Sequence, residues 1–123
     1  MARFGDLEAA IMDVVWAAGA PVRVREVSDQ LNRDRPLAFN TVQTVMEILY
    51  RKGWLARDKD GRAYRYRPTA SREDYTAGLM GEVFDTSTDR LATLRLFMER
   101  IDPAEAGELR AMLDQARQRG AGS

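Results

Sequence analysis

The feature that most constrains this chain is a change of hydrophobic period at Gly53. Before it, Thr41, Val42, Val45, Met46, Leu49 and Tyr50 recur at three- and four-residue spacing, the pattern of a helix with one apolar face. After it, Trp54 to Arg57 and Ala63 to Arg67 are β-favouring runs separated by Asp58-Lys59-Asp60-Gly61-Arg62, whose Asp-Gly pair supplies a turn with positive φ. A helix that runs directly into a hairpin leaves few topologies open. On the second run Tyr64 and Tyr66 share one face while Arg65 and Arg67 share the other, so alternation predicts aromatics inward and guanidiniums outward. Trp54, Tyr64 and Tyr66 are accordingly expected to be core residues, not base-stacking rings.

Two helices precede this unit. Leu7, Ala10, Ile11, Val14 and Val15 define an amphipathic helix over 6–18, which Gly19 and Pro21 end. Val22 suits a very short strand. Val24, Val27 and Leu31 mark a shorter helix ending near Asn32, and Arg33 to Pro36 form the connecting loop. Asn40, or the residue before it, is placed to cap the third helix. Three helices and a hairpin in about 65 residues are the winged helix-turn-helix arrangement, with the hairpin as wing.

In such an arrangement the first turns of the third helix meet base edges in the major groove, which makes Asn40, Thr41, Gln43 and Thr44 the candidate readers. Asn and Gln pair bidentately with adenine, and Thr offers a hydroxyl and a methyl. Against this, Asn40 has a simple use as a cap, and the others are ordinary solvent-facing residues. Charge supports the first reading only in part. The 123-residue chain has 19 Lys+Arg and 19 Asp+Glu, yet residues 51–67 hold seven cations against Asp58 and Asp60. That surplus of five attracts phosphate, although a solvated charged hairpin has the same composition. Arg51 and Lys52 either hold phosphate or complement the helix dipole. Lys59 and Arg62 at the tip are candidates for phosphate or the minor groove. Arg65 is a backbone candidate as well, but both it and Arg67 have Asp58 and Asp60 within reach across the hairpin.

With neither cysteine nor histidine, disulfides, thiolate metal sites and the commonest general base are excluded. No catalytic residue, metal or cofactor is expected. No apolar stretch approaches the roughly 20 residues that span a bilayer, so the expectation is a cytoplasmic protein without membrane insertion.

Residues 1–70 form the expected DNA-binding domain, and 71–123 read as a separate helical region. Ser71 with Asp74 resembles a capping box, and a helix follows through Tyr75, Leu79 and Val83 with Met80 and Phe84 beside them. A second helix is expected over 88–101 using Leu91, Leu94, Phe97 or Met98, and Ile101. Asp102-Pro103-Ala104-Glu105 starts a third, which presents Leu109, Met112, Leu113 and Ala116; the tail 119–123 is expected to fray. Roughly 50 residues cannot bury three apolar stripes alone. Either a second copy covers them, through Leu79, Val83, Leu94, Phe97, Leu109, Met112 and Leu113, or they fold back in a monomer. A dimer would present two recognition helices about one DNA turn apart and read an inverted-repeat operator. The alternative function is a protein-interaction module whose basic wing meets an acidic partner.

The segments LEAAIMDVVW at 7–16, VREV at 24–27, NTVQTVMEILYRKGWL at 40–55, YRYRP at 64–68 and ELRAMLD at 108–114 together resemble the penicillinase repressor (BlaI/MecI) family of winged-helix regulators. The resemblance implies a homodimeric repressor on double-stranded operator DNA, dimerised through its C-terminal helices. It also implies a release mechanism: in family members controlled by β-lactams, a membrane sensor-protease partner triggers cleavage within the C-terminal dimerisation region, typically at an Asn-Phe bond. The matching bond here is Leu96-Phe97, with Leu in place of Asn. A copper-responsive branch of the family uses C-terminal cysteines, which this chain lacks.

Overall fold

The computed structural model describes residues 3–121, with side chains through 120. Helix α1, Asp6–Ala18, opens where the Gly5 amide donates to Glu8 Oε1 at 3.1 Å. It ends at Gly19, whose φ of +68° is the left-handed conformation that favours glycine. Strand β1 is Val22–Arg23, and α2 is Val24–Leu31. Asn32 then pins the connection. Its Nδ2 donates to the Ser28 carbonyl and its Oδ1 accepts from the Leu37 amide, each at 2.7 Å.

Helix α3, Phe39–Arg51, begins earlier than the polar cap signal implies. Ala38 is the N-cap, its carbonyl accepting from Thr41 and Val42, so Asn40 lies inside the first turn and caps nothing. The hold of Asn32 on Leu37 delivers an extended Ala38 directly into the helix. At the other end Trp54 donates to the Leu49 carbonyl and Gly53, at φ +89°, to that of Tyr50. These two bonds are a Schellman closure, which turns the chain out of the helix and into the hairpin.

The hairpin consists of β2, Leu55–Asp60, and β3, Ala63–Pro68, joined through Gly61-Arg62 alone. Asp58, Lys59 and Asp60, expected in the turn, instead pair with Arg65, Tyr64 and Ala63 along the ladder. Gly61 at φ +66° permits the two-residue turn, and ion pairs from Asp58 to Arg67 and Asp60 to Arg65 favour keeping the strands extended. The sheet order is β1-β3-β2, all antiparallel, with Val22 opposite Tyr66.

The core is Ile11, Met12 and Val15 of α1, Val22, Val27, the α3 residues Val42, Met46 and Leu49, then Leu55 and Tyr66. Burial of each large side chain contributes about 1.5–3 kcal/mol relative to exposure. Tyr64 departs from the expectation. Farther out on the wing than Tyr66, it is 37% exposed because no helix covers that part of the strand. A second apolar cluster joins Phe4, Trp16, Trp54 and Tyr75, with Phe4 stacked on Tyr75 at 4.1 Å between centroids. The Phe4 amide donates to the Tyr75 hydroxyl at 2.8 Å, and Trp16 Nε1 donates to the Ala70 carbonyl at 2.9 Å.

The chain divides into two compact units, Met1–Met80 and Gly81–Ser123. Helix α4, Arg72–Asp85, contributes to both. Its capping box is formed: the Ser71 amide donates to Asp74 Oδ2 at 3.2 Å and the Asp74 amide to Ser71 Oγ at 3.0 Å. In the second unit α5 spans Arg90–Met98, shorter at both ends than the apolar pattern implies. Asp89 caps it, accepting from the Ala92 amide at 3.0 Å, and turn bonds from Glu99, Arg100 and Ile101 close it. Helix α6, Pro103–Ala121, starts at the Asp102 cap and runs through Arg119, Gly120 and Ala121 without fraying there; residues 122–123 lie outside the described residues. Among the described residues no helix is long and apolar enough to cross a membrane.

Candidate nucleic-acid interface

Helical geometry decides which side chains of α3 face outward. Val42, Met46 and Leu49 are buried, so the opposite face carries Asn40, Gln43, Thr44, Glu47 and Arg51, with Thr41 at its edge. Asn40, Thr41, Gln43 and Thr44 are exposed. The first turn has no side-chain cap; its Thr41 amide donates to the Ala38 carbonyl at 3.0 Å. The ring of Phe39, the first residue of α3, carries the guanidinium of Arg25 from α2 at 4.3 Å. Arg25 was not singled out in the sequence, because nothing in the spacing of 25 and 39 announces their contact.

The basic surplus of 51–67 is largely neutralised by carboxylates that lie elsewhere in the chain. Arg51 meets Glu47 at 3.3 Å, and Lys52 meets Glu8 at 3.0 Å, tying α3 to α1. Burial pushes the Glu8 carboxyl up, but the Gly5 amide and Lys52 outweigh it and hold Glu8 below its ordinary pKa. Arg65 donates to Asp60 at 2.6 Å and lies 3.9 Å from Glu26, while Arg23 donates to the same Asp60 oxygen at 2.6 Å. The Arg23 hydrogen bond, then that from Arg65, lowers the pKa of Asp60. Arg67 lies 3.7 Å from Asp58. Arg57, also unselected from sequence, donates to Glu47. Of the seven cations, Lys59 and Arg62 have no carboxylate partner among the described residues.

Apart from Arg3 and arginines of α5, α6 and their connection, the cations without a carboxylate partner among the described residues fall in two groups that flank α3. Lys59 and Arg62 occupy the wing tip; Arg25, Arg33 and Arg35 lie on α2 and on the connection leading into α3. The outward face of α3 lies between these groups in the chain. No group of three or more His, Cys, Asp or Glu among the described residues could hold a metal.

A helix-turn-helix with this wing is shared by many regulators, and the sequence profile separates them. The profile described as Penicillinase repressor matches residues 4–115. The chain belongs to the penicillinase repressor family. Membership makes it a transcriptional regulator, not an enzyme. The Mycobacterium tuberculosis protein described as Transcriptional regulator BlaI is 40% identical over 116 residues, covering 92% of this chain and 84% of that protein. The solution structure of the DNA binding domain of the repressor BlaI matches with a TM-score of 0.53 at 30% identity, covering 59% of this chain and 88% of that one. The Bacillus licheniformis BlaI monomeric form, in complex with the blaP half-operator, matches with a TM-score of 0.51 at 30% identity, covering 60% and 89%.

In this family member, the apolar residues expected at a dimer contact are distributed over α4, α5 and α6. Val83 is 71% exposed, and Leu94, Phe97, Met112 and Leu113 are also exposed, while Leu79 and Leu109 are half-buried. The Leu96-Phe97 bond lies in the last turn of α5 with both side chains exposed. A protease that takes extended substrate has to unwind that turn first.

Proposed function

We propose that this chain is a DNA-binding repressor that acts as a homodimer on an inverted-repeat operator, with residues 1–70 on the DNA and residues 71–123 joining the copies. The observation that carries the proposal is the outward face of α3. Asn40, Gln43 and Thr44 stand exposed on a helix whose inner face is locked into the core, with cations lacking carboxylate partners on the wing tip and on the approach to its first turn. Base reading falls to Gln43 and Thr44, with Asn40 and Thr41 beside them. Lys59 and Arg62 hold phosphate or minor groove, and Arg51, Lys52 and Arg65 stay engaged with their carboxylates unless DNA displaces these. The half-operator complex of the Bacillus licheniformis relative supports the same use of the winged unit. Exposed apolar residues on α5 and α6, among them Leu91 at 76%, support a second copy as cover.

DNase footprinting of the chain's own promoter over a salt series tests the proposal. Two protected half-sites about one helical turn apart are expected, fading steeply with salt. Absence of a footprint at ~50 mM salt would sink the idea. If Gln43→Ala leaves sequence preference intact, docking to an acidic protein becomes the better account of the surface.

A further inference from the structure

Arg57 is where the reading helix and the wing meet. Its guanidinium lies 3.9 Å from the ring centroid of Tyr50 on α3 and 4.1 Å from that of Tyr64 on β3. One nitrogen donates both to Glu47 on α3 and, at 3.3 Å, to the Tyr66 hydroxyl on β3. The side chain is 18% exposed, the least of any cation in an ion pair among the described residues. Two aromatic faces, a carboxylate and a phenol thus hold a single planar cation from both elements, a role for which guanidinium is suited and ammonium is not. Glu47 lies on the outward face of α3, where a bare carboxylate would repel phosphate; Arg57 and Arg51 neutralise it.

We propose that Arg57 is a positioning residue for operator binding: through Tyr50 and Glu47 it fixes the wing's angle to α3, and so places Arg62, without touching DNA itself. The inference rests on the DNA-binding reading above. The wing tip lies ~13 Å beyond Arg57 at the usual rise of a strand. A tilt of about 10° at the clamp moves the tip by roughly 2 Å, enough to break a hydrogen bond to phosphate.

A double-mutant cycle tests this on the full chain, with a fluorescent duplex of its own promoter at ~100 mM salt. Arg62→Ala is expected to weaken wild-type binding roughly fivefold or more, but less than about twofold when Arg57→Ala is already present, a coupling within the range for communicating residues. Glu47→Ala gives a second arm that removes negative charge from the surface. Positioning predicts weaker binding, whereas simple electrostatics predicts tighter. Equal Arg62→Ala effects in both backgrounds, or tighter binding by Glu47→Ala, overturn the inference. Should Arg57→Ala lose its far-ultraviolet helix signal, the Glu47→Ala arm decides. A wild-type chain that binds no duplex overturns the underlying reading, whereas additive effects in a chain that binds overturn the positioning role alone.

Discussion

Arg62, in the turn, and Arg65, on β3, lie three residues apart on one hairpin and differ in a respect that can be measured. Arg62 has no carboxylate partner among the described residues, whereas Arg65 lies 2.6 Å from Asp60 and 3.9 Å from Glu26. A cation releases counterions from DNA only where phosphate becomes its partner, and each such contact adds about 0.9 to the slope of log affinity against log salt. Arg62→Ala in both copies of a dimer should therefore flatten the slope by about 1.8. Between 50 and 200 mM salt that difference amounts to roughly a twelvefold change in affinity. Arg65→Ala should leave the slope nearly unchanged, since it removes a charge already neutralised. Were Arg25, Arg33, Arg35, Lys59 and Arg62 all to meet phosphate in both copies, the wild-type slope would reach about −9. Fluorescence anisotropy of a labelled promoter duplex at four salt concentrations resolves these values. If Arg65→Ala flattened the slope as much as Arg62→Ala, the division between paired and free cations would be wrong.

Tyr75→Phe keeps the stack on Phe4 but removes the acceptor for the Phe4 amide, and should cost about 0.5–1.5 kcal/mol; a thermal melt coincident with wild type would show that this bond contributes nothing. Because Arg23 and then Arg65 lower the folded-state pKa of Asp60, its contribution to stability is present above the ordinary carboxylate range and is lost as pH falls through the lowered value. Asp60→Asn should thus be less stable than wild type at neutral pH, with the gap narrowing below about pH 4; a gap independent of pH in urea titrations contradicts the linkage. Met112→Glu places a charge on an exposed apolar position of α6 and should yield monomers with weak operator binding, and sedimentation showing an intact dimer would remove Met112 from the interface.

The helices of the winged unit were legible because their apolar residues obey one period and meet one core: α1 ends at Gly19 as its sequence requires, and α3 stops at Gly53. Local signals misled where a distant bond overrode them. Asn40 has the chemistry of a cap, yet Asn32 holds Leu37 and starts α3 ahead of it. The hairpin turn is shorter than its polar residues suggest, since Asp58 and Asp60 find arginines across the ladder. The charge surplus was legible as a number but not as a surface. Its neutralising partners Glu8, Glu26 and Glu47 lie outside the window in which it was counted, and only the fold brings them in. For the same reason Arg25 and Arg57 were overlooked: what marks them is contact with Phe39, Tyr50 and Tyr64, not neighbours in sequence.

Strand β1 has two residues, yet its pairing with β3 brackets the whole of α2 and α3, since Val22 lies opposite Tyr66. Helix α3 is thus enclosed in a loop that closes only when the last strand of the wing arrives, and that closure carries an entropic cost which slows folding. In chain order α3 ends at Arg51, before any residue of β2 or β3. The sheet joined to α3 closes only once Pro68 is in place opposite Leu55.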